Sequence, residues 1–134
     1  MDRKRIFKLM SLVALAGALL AARPLAQRWP KEQTIHYVLG DAAGRVTELD
    51  ARWADGNARA ASGDPADEAW ARQATFHYDS GTAPRIVTHV PRLPDGDYTV
   101  EIDLVSAHER STVTRHVTLA GGSTSLDLVQ AVPR

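Results

Sequence analysis

The side chains in this chain that are best suited to chemistry are its five histidines. His36, His77 and His89 fall in segments where polar and apolar residues alternate, which predicts strands. If the strands at 70–79 and 85–90 pair as a hairpin, two of these histidines come close together. Two or three imidazoles on one sheet face can bind Zn²⁺ or Cu²⁺. No close His-x-His or His-x-x-x-His spacing supports such a site, so we expect solvated histidines and predict no metal.

Two groups of acidic residues have the chemistry of other sites. Asp64, Asp67 and Glu68 have the ligand type for Ca²⁺, but the spacing of a known calcium loop is missing, so we expect a solvated loop. Glu101 and Asp103 lie on one outward strand face, about 7 Å apart by strand rise. Glycosidases use paired carboxylates, yet a strand that faces solvent normally carries such charges. We therefore expect both to face water, and Glu101→Ala to cost under about 0.5 kcal/mol.

Nucleophilic and sugar-binding residues are predicted to be structural. Ser123 follows a glycine pair in a turn and lacks the strand and helix that surround a nucleophile elbow. Trp53, Trp70 and Tyr98 fall at inward strand positions, which favours a core role over sugar stacking. The chain has no cysteine, which excludes thiolate catalysis, disulfides and cysteine zinc sites. We therefore predict no catalytic residue, no cofactor and no enzymatic activity.

The charge distribution argues against nucleic acid as a partner. The formal net charge is zero, but basic residues are concentrated at the start of the chain. Residues 27–134 carry 11 Lys/Arg and 15 Asp/Glu, which gives a net charge of −4. A nucleic-acid binder needs a basic face, so this mildly acidic body predicts no nucleic-acid partner.

Residues 1–26 have the pattern of a signal peptide or a membrane anchor helix. Four basic side chains in the first eight residues precede an uncharged, mostly apolar run at residues 9–22. A run of this length fits a signal-peptide core, because a spanning helix needs about 20 apolar residues. The cleavage site is poor, however, and an uncleaved helix can span if Lys8 and Arg23 extend outward. Both alternatives deliver the rest of the chain across the membrane.

After a linker at residues 27–33, the hydrophobic period is two. Seven segments alternate in this way at spacings of about ten residues, separated by Gly, Pro and Asp turns. The pattern predicts an all-β fold: one antiparallel seven-stranded β-sandwich at residues 34–132, Ig-like or transthyretin-like, preceded by one N-terminal hydrophobic helix. In the strand at 97–106, the alternation predicts that Tyr98 and Ile102 are buried between the sheets.

Two stretches in the second half of the chain resemble a known family. The first is RLPDGDYTVEIDL, within residues 91–104, which resembles the L-P-x-G-x-Y-x-V-x-I signature of carboxypeptidase-regulatory-like and transthyretin-like modules. The second is VTLAGGSTSLDL at 117–128, which resembles the ending of these modules. The match covers about residues 91–129. The resemblance implies an accessory or adhesion-like domain and supplies no catalytic residue.

These features together predict a non-catalytic envelope protein. It would be a membrane-tethered or secreted β-sandwich that binds another protein or a surface polymer, and the N-terminal helix would contact the membrane. The alternative is a small periplasmic protein that binds a metal or a carbohydrate through strand histidines or aromatic residues. The predicted location is the cell membrane, with the domain on its extracytoplasmic side, or the periplasm or medium after cleavage.

Overall fold

The computed structural model describes residues 10, 13–18, 20, 29–56 and 72–134. These residues are mostly β-strand, which confirms the predicted all-β class. Residues 13–18 are helical, and most of the remaining predicted N-terminal helix lies outside the described residues. The acidic residues Asp64, Asp67 and Glu68 and the aromatic Trp70 also lie outside the described residues. Within the described ranges, no helix is both long and apolar enough to cross a membrane.

Nine strands lie in the described residues, and the longer ones follow the hydrophobic alternation. They are β1 (Lys31–Glu32), β2 (Thr34–Val38), β3 (Val46–Asp55), β4 (Arg72–His77), β5 (Ile86–His89), β6 (Arg92–Leu93), β7 (Gly96–Ser106), β8 (Arg110–Leu119) and β9 (Ser123–Asp127). Two 3-10 turns, Gly40–Arg45 and Val129–Ala131, follow β2 and β9. Gly40 has a φ of 66°, and a Cβ there would lie 2.9 Å from Val129 Cγ2. Glycine therefore lets the chain turn away from β2 close to the second turn.

The strands form two larger sheets and one short ribbon. The four-stranded sheet has the order β4-β3-β7-β8 and is antiparallel throughout. The three-stranded sheet has the order β5-β2-β9, and the ribbon pairs β1 with β6. β2 and β9 run parallel, so the prediction of a wholly antiparallel fold is wrong at this pair. The reason is that the short turn at residues 120–122 carries the chain from β8 in the four-stranded sheet to β9 in the three-stranded sheet, which local alternation does not encode.

The two larger sheets share one hydrophobic core. Fully buried members from β2, β3 and β7 are Ile35, Tyr37, Val46, Leu49, Ala51, Trp53, Val100, Ile102 and Leu104. Tyr98 and Ile102 are 5% and 0% exposed, which confirms their predicted burial. Burial of one large apolar side chain stabilises a fold by about 1.5–3 kcal/mol. The inward-facing side chains of the alternating strands therefore hold the two sheets together.

Tyr98 also fixes the entry of β7 into the core. Its hydroxyl donates a hydrogen bond of 2.7 Å to the carbonyl oxygen of Pro94, four residues upstream. Its ring packs edge-on against Trp53, with centroids 6.2 Å apart. A tyrosine near a strand start that bonds back to the preceding turn has the geometry of a tyrosine corner. The turn and the tyrosine together set which face of β7 is buried.

Residues 31–33, which the sequence assigns to the linker, are part of the folded domain. Gln33 is fully buried. Its Nε2 donates to Leu93 O and Asp95 Oδ1, and its Oε1 accepts a bond from the Gly121 N–H. Lys31 Nζ lies 2.7 Å from Asp95 Oδ2, and the hydrogen bonds from Lys31 and Gln33 lower the pKa of the Asp95 carboxyl. The start of the folded part is thereby tied to the two turns that flank β7 and β8.

Candidate functional site

The three candidate metal ligands lie in different environments. His36 is on the outward face of β2, with Nδ1 3.2 Å from Thr88 Oγ1. His77 is on the outward face of β4, with Nδ1 3.2 Å from Glu48 Oε2. His89, on β5, points inward. Among the described residues, no three His, Asp or Glu side chains are grouped closely enough to hold a metal ion.

The hairpin that would bring His77 close to His89 does not form. β4 pairs with β3, and β5 pairs with β2, so the two strands belong to different sheets. They meet through inward side chains, where the rings of Phe76 and His89 lie 5.6 Å apart. His77 follows Phe76 along β4 and points to the opposite face. Turn residues at 78–85 carry the chain between sheets, and turn composition does not distinguish this crossing from a hairpin.

His89 ends a chain of hydrogen bonds between the sheets. Trp53 Nε1 donates to the Tyr37 hydroxyl at 3.1 Å, and this hydroxyl lies 3.2 Å from His89 Nδ1. An indole only donates, so the Tyr37 oxygen accepts from Trp53; its own O–H donates to His89 Nδ1 in the tautomer that carries the imidazole proton on Nε2. Burial lowers the pKa of His89 and raises the pKa of Tyr37. Both side chains are therefore neutral at pH 7, and the cluster belongs to the core.

Glu101 and Asp103 are held against one arginine. Arg52 Nη2 lies 2.5 Å from Glu101 Oε1 and 2.9 Å from Asp103 Oδ2. Arg52 Nε lies 3.8 Å from Asp50 Oδ2. Asp103 is 8% exposed, so the prediction that it faces water is wrong, although it does lie on the outward face of β7. The cause is the register, which places Arg52 beside Glu101 and Asp50 beside Asp103.

Side chains from the two flanking strands complete this arrangement. Thr112 on β8 donates to Asp103 Oδ1 at 2.6 Å. Thr75 and Gln73 on β4 donate to Asp50 at 3.0 and 3.2 Å. We call the resulting group the Arg52 network: Asp50, Arg52, Gln73, Thr75, Glu101, Asp103 and Thr112. All three carboxylates of the Arg52 network therefore have partners within the same sheet.

The remaining candidate residues are two aromatic side chains and the serine that follows the glycine pair. Trp53 and Tyr98 are 0% and 5% exposed, so neither presents a ring face to a sugar. Ser123 is exposed at the start of β9, beside Thr34 of β2. The burial of Trp53 and Tyr98 agrees with the core role that the sequence favours for them.

The three-stranded sheet presents a different outward face. On β5 and just beyond its end, Ile86 and Val90 are 52% and 50% exposed, with the exposed Thr88 between them. Across the sheet, Val38 lies beside Ile86, and His36 lies beside Thr88. We call Ile86, Thr88 and Val90 the β5 edge surface. Apolar side chains that are exposed together on a sheet edge are typical of a surface that pairs with another chain.

The backbone of the β5 edge surface also points away from its own sheet. The carbonyl oxygens of Arg85 and Pro91 accept hydrogen bonds from the residues that flank β2. Hydrogen-bonded pairs alternate along an antiparallel ladder. The N–H and C=O groups of Ile86, Thr88 and Val90 therefore point away from β2. In the described part of the chain, β5 pairs with β2 alone.

No family model, curated protein or solved structure matches this chain significantly. The surfaces of the chain itself are therefore the basis for assigning a function.

The other edge strands carry charges that the β5 edge surface lacks. Formally charged residues lie on each of the other three edges: Arg72 on β4, Arg110 and Arg115 on β8, and Asp127 on β9. Charged side chains on an edge oppose pairing with another chain. The segment Ile86–Val90 has no formal charge at pH 7, because burial keeps His89 neutral. The sequence predicted a strand at residues 85–90 but not that this strand lies at a sheet edge.

Proposed function

We propose that the chain is a non-catalytic envelope protein whose β-sandwich, residues 34–132, binds another protein by strand addition at the β5 edge surface. One observation carries this proposal: exposed Ile86 and Val90 lie on an uncharged edge whose backbone groups point outward. An extended peptide that joins such an edge satisfies its N–H and C=O groups. The alternating side chains then select the partner.

A single sandwich is supported by the core that both larger sheets share and by the Tyr98 corner. Without the ribbon strands, seven strands remain in the described residues, four in one sheet and three in the other. The resemblance to carboxypeptidase-regulatory-like and transthyretin-like modules falls on β6 to β9. Such modules are mostly non-catalytic, which agrees with an Arg52 network whose acidic groups are bonded within the sheet.

An extracytoplasmic location is supported by the first part of the chain. Its basic start and apolar run have the order of an export signal or anchor. Trp29 lies between this run and the first strand and is 71% exposed. An indole at such a position fits the interface between a bilayer and water. In this arrangement the sandwich stands beyond the membrane, next to its surface or released from it.

A protein fits the β5 edge surface better than the other ligand classes. A sugar site uses exposed aromatic faces, whereas Trp53 and Tyr98 are buried. A metal site needs grouped ligands, whereas the three candidate histidines are separated. Only a polypeptide presents N–H and C=O groups at the spacing of a strand, which makes a surface polymer the weaker alternative.

Site-specific photocrosslinking in cells that make the full chain tests this binding function. A photoreactive residue replaces Thr88 on β5 or, as a matched control, Thr114 on β8, since both are exposed on edge strands. We expect protein adducts at position 88, few at position 114, and loss of the adducts when Ile86→Lys and Val90→Lys are added. Equal adducts at both positions, or adducts that survive both lysines, contradict the proposal.

A reporter fusion tests the location separately. Residues 1–35 are joined to a reporter that is active only outside the cytoplasm. We expect an active reporter, because the basic start and apolar run direct export. An inactive reporter, with the chain in the soluble cytoplasmic fraction, contradicts the envelope location.

A further inference from the structure

We infer that the partner of the β5 edge surface is a second copy of the same surface, with the two β5 strands antiparallel about a two-fold axis at Thr88. The inference rests on the proposed binding function and names the partner. It joins two three-stranded sheets into one continuous six-stranded sheet. Isologous pairing of this kind requires a surface that is complementary to itself.

The β5 edge surface meets that requirement. When Thr88 lies opposite the partner's Thr88, Ile86 lies opposite the partner's Val90. Apolar residues then face apolar residues, and hydroxyl faces hydroxyl, which are pairs that stabilise neighbouring strands. The outward N–H and C=O groups of all three residues find partners, because hydrogen-bonded pairs recur at every second residue.

Other registers are less complementary. A shift of the axis to Val87 places Val90 opposite the partner's Pro84, which has no N–H to donate. A shift to His89 places Ile86 opposite the partner's charged Arg92. The register centred on Thr88 avoids both mismatches, so the sequence around β5 selects it.

The charges around β5 allow two β5 strands to come together. In the Thr88 register, Arg85 lies opposite the partner's Pro91, which is uncharged, and its guanidinium lies 2.9 Å from Asp41 Oδ1. The segment Ile86–Val90 carries no formal charge. By contrast, β8 has Arg110 and Arg115 on an edge of ten residues, which disfavours pairing there.

The expected affinity is low in dilute solution. A strand pair of five residues is about 17 Å long, and it buries less than the roughly 1,200–2,000 Å² of a standard stable interface. Confinement to a membrane raises the effective concentration of such a pair, and the proposed N-terminal anchor would supply it. The self-pairing is therefore expected chiefly where the chain is concentrated.

An introduced cysteine reports the contact directly, because the chain has none of its own. In membranes that hold the full chain, Thr88→Cys should form a disulfide-linked dimer on mild oxidation. Opposed Cα atoms in a hydrogen-bonded pair are about 5.5 Å apart, which is within the range of a disulfide. The control Thr114→Cys should stay monomeric. No dimer at position 88, or equal dimer at both positions, overturns the inference.

Two charged variants test the symmetry. Thr88→Lys and Thr88→Asp each place like charges opposite one another, so each alone should lose the self-association of the parent in sedimentation of the full chain in micelles. An equal mixture should regain it as a heterodimer. Self-association of either variant alone, or a mixture that stays monomeric, overturns the two-fold register. Thr88 is exposed, so both variants should keep the circular dichroism of the parent.

Failure of self-pairing can be distinguished from failure of the proposed binding function. Photocrosslinks from position 88 to a different protein, without a disulfide dimer of Thr88→Cys, retain strand addition and overturn self-pairing. Absence of both the photocrosslinks and the dimer overturns the two proposals together.

Discussion

The outward faces of the two larger sheets differ in how far they satisfy their own polar groups. On the four-stranded sheet, Arg52 binds Glu101 and Asp103, a hydroxyl group on β8 bonds to Asp103, and hydroxyl and amide groups on β4 bond to Asp50. On the three-stranded sheet, Ile86 and Val90 are half-exposed, and the backbone of the β5 edge surface points outward. The first face satisfies its polar side chains within the sheet, whereas the second has exposed apolar side chains and backbone groups that point away from the sheet.

The difference shows that a concentration of charge does not by itself indicate a binding site. Four strands contribute to the Arg52 network, so its charges stabilise the sheet and cost free energy if they are left without partners. The β5 edge surface has no comparable role in stability, because its side chains are half-exposed. Substitutions should therefore affect stability on the first face and association on the second.

The largest expected effect is that of Arg52→Met. It keeps most of the side-chain volume but leaves three carboxylates without their cation. Removal of one partner from a buried ion pair costs about 3–5 kcal/mol, and we expect about 2–3 kcal/mol here because water reaches part of the group. The midpoint of denaturant unfolding measures it.

The matched control is Arg115→Met, since Arg115 is exposed on β8 and bonds to the carbonyl oxygen of Thr114 next to it. A surface change of this kind should cost under about 0.5 kcal/mol. Equal midpoints for Arg52→Met and Arg115→Met would show that the Arg52 network does not stabilise the four-stranded sheet.

A smaller effect is expected for Glu101→Ala, which removes one carboxylate and keeps the arginine. We expect a loss of about 1 kcal/mol, more than the sequence alone suggested, because Glu101 is bonded to Arg52. Glu109→Ala, in the exposed turn between β7 and β8, is the control and should cost under about 0.5 kcal/mol. Equal unfolding midpoints for Glu101→Ala and Glu109→Ala would show that Glu101 is a solvated side chain.

Alternation in the sequence predicted the strands and the buried residues but not their partners. The burial of Tyr98 and Ile102 could be predicted because both occupy inward positions in the alternating pattern of β7, and this pattern is a local period of two. The parallel pairing of β2 with β9 and the separation of β4 from β5 depend on contacts far apart in the chain. The Arg52 network was missed for the same reason: the register of β3 against β7 decides that Arg52 meets Glu101.

Acidification should weaken the contact between the sheets near β5. Burial lowers the pKa of His89 below its usual value near 6.5, so below that pH the unfolded chain binds a proton more readily than the folded chain. The free energy of unfolding therefore falls as the pH drops from 7 through this range. His89→Gln should flatten this part of the curve, and His108→Gln, in the exposed β7–β8 turn, should not. A curve unchanged by His89→Gln contradicts the buried neutral imidazole.

The smallest effect on stability is expected on the β5 edge surface. Ile86→Lys and Val90→Lys replace half-exposed side chains and should each change the free energy of unfolding by under about 0.5 kcal/mol. Both should abolish strand pairing, because a charged edge opposes it. Unfolding midpoints and crosslinking at position 88 give the two readouts. A large loss of stability would mean that these side chains belong to the core.

Amide hydrogen exchange of the full chain in micelles, followed residue by residue, is the most direct test of strand pairing at the β5 edge. Exchange is measured at low and at high protein concentration. The amides of Ile86, Thr88 and Val90 should become protected as the concentration rises, because their outward N–H groups find acceptors in a second strand. The amides of Thr112 and Thr114, on the charged β8 edge, should exchange at the same rate throughout. Rates at Ile86, Thr88 and Val90 that do not change with concentration would contradict pairing at this edge.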